Sequence, residues 1–264
     1  MALPRLHLFE FEDQRWFPAT LRRGLTDYLA EITARTRPYA AAVAPLSALL
    51  AKSPAPTILD LCSGAGGPWP ELLAALLPTH PSLQLELSDA FPNPDAVGRF
   101  PHGARVRYRR APLRATDLPA KEPAVRSLFS GFHHFRPAEA QRILGQAAAD
   151  RVPIVVFEAT HRSAKAVVAM LIVPLAVLLV TPVIRPFHWW RLLFTYLIPL
   201  LPLVAWWDGV VSCLRTYRPE ELRSMTASLA DSGMEWQIGE LRAPGMPLPV
   251  TYLIGTPSTV AVAV

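Results

Sequence analysis

The 264-residue chain is apolar for its size, with 18% charged and 51% hydrophobic side chains. Its net charge of +5 is carried by scattered arginines, with Lys52, Lys121 and Lys165 the only lysines, and no basic stripe is interleaved with aromatics, which excludes nucleic acid as a partner. Cys62 and Cys213 lie far apart and offer neither a disulfide framework nor metal-ligand spacing, so no metal is expected and a reducing compartment fits.

The N-terminus carries acidic residues early and no apolar core, so no secretory leader is expected. Over residues 14–52, Leu21, Leu25, Leu29 and Ile32 recur at helical spacing, with breaks expected at Pro18, Pro38 and Pro45. Trp16 and Phe17 beside Arg22 and Arg23 suit a core cap, a site roof or a membrane contact. From residue 57 strands and helices alternate. TILDL, LQLELSD, RVRYRRA, VRSLFSGF and VPIVVFEA read as five strands, with PELLAALLP and PAEAQRILGQAAA as helices between them. The helix RPEELRSMTASLADSG and the strands EWQIGELRA and VTYLIGTP close the chain. This alternation implies an α/β fold: a doubly wound, mostly parallel seven-stranded sheet of Rossmann-like type, with its ligand at the carboxyl ends of the strands.

One stretch breaks the pattern. Residues 166–207 carry only Arg185 and Arg191 as charges, and the charge-free part, 166–184, would span ~28 Å as a helix. Pro174, Pro182, Pro199 and Pro202 would kink or break the helices, and the tip TPVIRPFHWWR is rich in interfacial residues. Because strand five precedes this insertion and further strands follow it, the chain must return to its starting side. A hairpin or re-entrant loop is expected. Arg162, Lys165, Arg215 and Arg218 flank its base and would place the domain on the cytoplasmic side of a membrane. The alternative is a soluble lid or a homodimer interface. The organisation is then an N-terminal helical cap (1–52), a core (53–165), the apolar helical hairpin (166–207) and a C-terminal completion of the core (208–264).

The loop after the first strand narrows the ligand. A phosphate-binding P-loop needs Gly-Lys-Ser/Thr, but Pro68 and Trp69 follow Gly67; a dinucleotide fingerprint would put its third glycine at Trp69, where an indole blocks close packing. Asp60-Leu61-Cys62-Ser63-Gly64-Ala65-Gly66 instead resembles the acidic-x-Gly-x-Gly-x-Gly signature of class I S-adenosylmethionine-dependent methyltransferases, with Cys62 in place of the first glycine. Leu87-Ser88-Asp89-Ala90, Arg114-Ala115-Thr116-Asp117-Leu118-Pro119 (Arg114 replacing an aspartate that contacts adenine) and Phe129-Ser130-Gly131-Phe132-His133-His134-Phe135 follow in the family's order. The resemblance covers roughly residues 55–160. It implies S-adenosylmethionine as cofactor. Cys62, Ser63, Gly64 and Gly66 would line the methionine end, Asp60 would face the ammonium and Asp89 the ribose, with Ala90, Ala115 and Ser130 beside them. Asp60 and Asp89 are equally able to cap their own turns.

Methyl transfer needs proximity and, for some acceptors, a base. His133 and His134 are the candidates, against a packing role. Glu158 and His161 after strand five, and Asp208, Arg215 and Tyr217 beyond the insertion, are placed by topology as acceptor-binding residues. The expected activity is methyl transfer to a hydrophobic or amphiphilic small molecule at a membrane. The alternatives are a soluble methyltransferase and a binding or scaffold module in which Cys62 and Arg114 abolish donor binding.

Overall fold

The computed structural model describes residues 3–52, 56–100, 105–119 and 124–258; the domain limits drawn at 53 and 264 lie outside them. Seven strands form one sheet in the order β3-β2-β1-β4-β5-β7-β6. These are β1 (Thr57–Leu61), β2 (Gln84–Leu87), β3 (Val106–Tyr108), β4 (Val125–Phe129), β5 (Ile154–Glu158), β6 (Met234–Leu241) and β7 (Val250–Pro257). The first five pair parallel, and β7 runs antiparallel between β5 and β6. All five residues of β5 are buried, as a strand covered on both faces requires. The chain builds outward through β2 and β3, then returns to place β4 on the other side of β1. The crevice at the carboxyl ends of β1 and β4 is therefore a topological switch point, where such sheets bind ligands.

Helices α2 (Val43–Leu50) and α3 (Trp69–Leu76) cover one face, and α4 (Pro137–Asp150) and α9 (Pro219–Ala227) cover the other. Pro137 and Pro219 open their helices at positions where a missing N–H costs nothing. The N-terminal helix α1 spans Ala19–Thr36 and ends at Arg37 in the left-handed conformation, just before Pro38. Residues 14–18 are not helical, so Pro18 precedes the helix. The break expected at Pro45 is absent: Pro45 sits in the first turn of α2, where its ring is tolerated.

The apolar segment folds as a helical run over Ala164–Val183, which contains α5 (Ala164–Ala169) and α6 (Val173–Val180). The short α7 (Trp189–Leu192) and the turn after it meet α8 (Leu200–Arg215) at a bend of 75° beside Pro199. The inner face of the hairpin (Val177, Val180, Ile184, Leu201 and Val204) packs on Phe17, Leu21, Leu25 and Tyr28 around α1. Arg191 at the tip is buried and donates to Asp27 of α1 at 2.5 Å, so the hairpin lies folded over α1. Its outer face is apolar and exposed: Val168, Leu171, Ile172, Leu175 and Leu179 follow helical spacing. Helix α8 runs past Trp207, because Asp208, Ser212 and Arg215 form a polar stripe on its inner side (i, i+4, i+7).

Candidate functional site

Strand β1 ends in a loop whose backbone turns left-handed repeatedly: Cys62 at φ +59°, Gly64 at +50° and Gly66 at +97°. For a cysteine that conformation is costly, ~1–2 kcal/mol relative to glycine. Its side chain fits because Gly131 faces it: a Cβ built at Gly131 would lie 2.9 Å from that of Cys62. Asp89, at the end of β2, accepts from the Gly64 N–H at 2.9 Å and the Phe91 N–H at 2.8 Å, tying loop to strand end.

Asp60 does not face the ligand space expected of it. Its carboxylate is buried between the hydroxyls of Ser63 (2.6 Å) and Ser127 (2.7 Å), stitching β1, β4 and the loop together. Burial pushes it up to about 6, with the two serine hydrogen bonds opposing. Of the two roles open to it, the geometry shows the cap.

Beyond the strand ends lies a cavity of about 810 Å³, within the range of small-molecule sites. It is walled by the loop and by Asp89, Ala90, Ala115 and Ser130, and roofed by the N-terminal segment, α1, Met170, Val173 and α8. Of the residues singled out in sequence, Cys62, Ser63, Gly64, Asp89, Ala90, Ala115, Ser130, His133, His134, His161, Asp208 and Arg215 all reach this cavity. Gly66 does not line it; its open α-carbon accommodates the Phe100 ring. Glu158 stands behind His133, and Tyr217 lines a different cavity, its hydroxyl donating to the Phe135 carbonyl. Both placements correct the acceptor-wall position drawn from topology. Strand β5 aims Glu158 at the turn after β4, and Tyr217 lies beyond the end of α8.

At the acceptor end, His133 and His134 occupy a single helical turn after β4. Glu158 accepts from the backbone N–H groups of Phe132 (2.7 Å) and His133 (3.3 Å) and lies 2.6 Å from His133 Nδ1. That contact fixes Nδ1–H as donor and leaves Nε2, buried and without a hydrogen-bond partner, as the proton acceptor. His134 Nδ1 lies 2.8 Å from Asp13 and 3.1 Å from Glu10. Arg215 reaches Asp13 at 2.6 Å and Glu10 at 3.4 Å. Burial works against a charged His134, yet the two carboxylates outweigh it and hold it well above the usual imidazole range. Burial raises Glu10 too, but His134 and Arg215 bring it below its ordinary value. Glu10, His133 and His134 hold ligand atoms within 4.8 Å of one another, as a metal would need; Arg215 and the His134 imidazolium already supply the positive charge there.

Glu10 and Asp13 were not singled out in sequence, where they read only as evidence against a leader. The signal for them is their position in the otherwise apolar and aromatic stretch LHLFEFEDQ. Asp208 holds that stretch in place by accepting from the N–H groups of Phe11 (2.8 Å) and Glu12 (3.2 Å).

No family profile and no curated protein matches this chain in sequence. Solved structures do resemble it. The plantazolicin methyltransferase BpumL, in complex with a monoazolic desmethylPZN analog and SAH, superposes with a TM-score of 0.53 at 11% identity, over 90% of this chain and 96% of that one. Human N-acetylserotonin methyltransferase in complex with SAM gives 0.52 at 13% identity, over 92% of this chain and 57% of that one. The chain has the class I methyltransferase fold. It spans under three-fifths of the human enzyme and 59% of an O-methyltransferase family protein from Burkholderia thailandensis (TM-score 0.48, 21% identity). Within this methyltransferase fold, the cavity lies at the switch point and the apolar hairpin enters between β5 and α9.

Proposed function

We propose that this chain is an S-adenosylmethionine-dependent methyltransferase acting on a hydrophobic or amphiphilic small molecule at the cytoplasmic face of a membrane. The observation that carries the reading is Asp89. It stands at the end of β2, lines the cavity and holds the left-handed glycine loop at the switch point. A cavity of about 810 Å³ has room for donor and acceptor together.

The residues present suit the donor. The loop at Ser63–Gly64 would approach its methionine end, Asp89 would accept from ribose hydroxyls, and Ala90, Ala115 and Ser130 would flank it. The donor, when bound, supplies a methyl group already activated on a sulfonium. The chain's part is to orient the acceptor and take its proton. His133 Nε2 is the proton acceptor in this reading. Glu158 fixes its tautomer and stabilises the imidazolium formed, while Glu10, Asp13, His134 and Arg215 fix the polar end of the acceptor site.

Membrane contact is supported by the helical run Ala164–Val183, of which only 22% is buried, and by Trp189 at the tip, 69% exposed. Because Arg191 ties the tip to α1, contact would be made by the outer face lying along the surface. Of the flanking cations, Arg162 and Arg215 are buried in ion pairs and Arg218 is half-buried, leaving Lys165 exposed.

Calorimetric titration with S-adenosylmethionine tests the donor site. The expected result is saturable binding weakened at least tenfold, about 1.4 kcal/mol, by Asp89→Ala. A folded wild-type protein that binds neither donor nor S-adenosylhomocysteine overturns the reading. Flotation with liposomes tests the membrane role: Trp189→Ser with Leu179→Ser should weaken it, whereas a concentration-dependent dimer that does not float would assign the same face to a second copy.

A further inference from the structure

A second cavity, of about 450 Å³, lies behind the first, between the loop after β5, the N-terminal end of α9 and the β6–β7 pair. It is lined by Arg162, Thr216, Tyr217, Arg218, Arg223 and Glu240 among others. His161 reaches both cavities, and the hydroxyls of Thr160, in the first, and Thr216, in the second, meet at 2.6 Å in the wall between them.

Arg162 sets the chemistry of this space. It is only 5% exposed and donates once, from Nη2 to Glu221 at 2.7 Å. Its Nε and Nη1 are buried and have no partner. Arg126 and Arg191 also keep unpartnered N–H groups, but neither lines either of these two cavities; Arg162 lines the second. Leaving buried donors of a charged group unmade is costly, so an acceptor, water or an anion, is expected beside Arg162. Arg218 stands beside it, half-buried, and donates its Nη2 to the neutral carbonyls of Leu3 and Arg162, both at 3.2 Å, with no side-chain ion pair among the described residues. Glu221 is shared: the same oxygen that faces Arg162 also accepts the Arg218 backbone N–H at 2.8 Å.

The acidic residues are sorted by depth. Side-chain exposure is 75% at Glu220 and 41% at Glu240, against 3% at Arg162. Glu220 and Glu240 stand toward the rim, while deeper in two arginines, Arg162 and Arg218, share one carboxylate, Glu221, and leave an excess of positive charge. A planar guanidinium with two free N–H groups and a second arginine alongside matches the oxygens of a carboxylate or phosphate group.

We propose that this second cavity binds a small oxyanion, carboxylate or phosphate, with Arg162 as the principal contact and Arg218 as its partner. The site is separate from the methyl-transfer cavity and does not depend on its function. Two sources carry this chemistry: a free metabolite, or the head group of an acidic lipid reached at the base of the apolar hairpin, which begins at Ala164.

Calorimetric titration of the full chain with inorganic phosphate and with glycerol 3-phosphate, at constant ionic strength, reads the site directly. One saturable event is expected, weakened at least tenfold in Arg162→Ala and about fivefold in Arg218→Gln, with S-adenosylhomocysteine affinity unchanged in both. Arg218→Gln decides the matter should Arg162→Ala fail to fold. Flotation with phosphatidylglycerol against phosphatidylcholine vesicles separates the sources. Loss of a phosphatidylglycerol preference in Arg218→Gln, with competition by glycerol 3-phosphate, assigns the head group; flotation indifferent to the substitution alongside lost phosphate binding assigns the free anion. No saturable binding of phosphate, glycerol 3-phosphate or acidic vesicles by the wild type overturns the proposal, as does binding unchanged in Arg218→Gln.

Discussion

Cys62 and Gly131 are coupled by a single contact, and a double-mutant cycle measures it. The Gly131 backbone has a negative φ (−124°, with ψ −15°), which an L-residue can adopt, so Gly131→Ala meets no left-handed strain. Its new Cβ would lie 2.9 Å from Cys62 Cβ, a separation that forces one of them to move, and 3.6 Å from Cys62 Sγ, with the Phe129 carbonyl oxygen next at 3.9 Å. Overpacking of this kind costs ~1–3 kcal/mol. In a Cys62→Gly background the clash partner is gone and only the 3.9 Å contact remains, so the same alanine should cost less than about 0.5 kcal/mol. Cys62→Gly alone relieves ~1–2 kcal/mol of left-handed strain but adds ~0.5–1 kcal/mol of chain entropy, leaving it within about 1 kcal/mol of wild type. The coupling energy is then ~0.5–3 kcal/mol. Urea unfolding of the four proteins, followed by tryptophan fluorescence, gives the cycle. If Gly131→Ala costs the same with and without Cys62, the contact is not what admits a cysteine into a glycine position.

Other consequences are readable from the same geometry. Arg191→Met removes one partner of a buried pair, and since Asp27 keeps Arg99 at 2.9 Å, a loss near ~3 kcal/mol, the low end for such pairs, is expected in thermal unfolding. Once an acceptor is in hand, Glu158→Gln should lower kcat by ~10²-fold or more while leaving donor affinity intact; an unchanged kcat would remove His133 from the proton path. Cys213 is buried, which pushes its thiol up to about 11, so it should not react with iodoacetamide at pH 8 until urea unfolds the chain. Burial, with the nearby Glu10 charge, raises Asp208 to about 7 from 3.8. The folded state therefore keeps a proton that the unfolded state has lost, and stability from this group falls as pH rises from about 4 to about 7, by up to ~1.4 kcal/mol per unit. Unfolding of wild type and Asp208→Asn at pH 5 and 8 should show that slope in the difference; a flat difference refutes it.

The sheet was legible because burial on both faces leaves apolar runs, and β5 is such a run up to its last residue. A ligand space at the carboxyl ends of the strands followed from the alternation of strands and helices. Asp89 was singled out through the resemblance at Leu87-Ser88-Asp89-Ala90, and the structure places it on the cavity wall. The direction of Asp60 was not legible, because the same local pattern serves a carboxylate facing out and one turned inward; only the hydroxyl of Ser127, 67 residues away, decides between them. The N-terminal carboxylates escaped for want of any local pattern. Asp13 meets Arg215 across 202 residues, and no period in either segment announces the contact. The end of α8 was obscured by its own function: a polar stripe on the buried side of a helix reads in sequence as the end of an apolar segment.

That polar stripe links the hairpin to the chemistry. Helix α8 carries exposed Leu203 on one side and, on the other, Asp208, Ser212 and Arg215. Asp208 fixes the backbone at Phe11 and Glu12, Ser212 donates to Glu10 at 3.1 Å, and Arg215 clamps Asp13. Glu10 and Asp13 in turn hold His134, whose ring stacks on that of His133 at 4.4 Å. The cavity roof, the hairpin and the histidine pair therefore share one set of buried ion pairs. Buried charges tolerate the loss of a partner poorly, so α8 cannot be displaced from the N-terminal segment without either unpairing Glu10 and Asp13 or moving them away from His134.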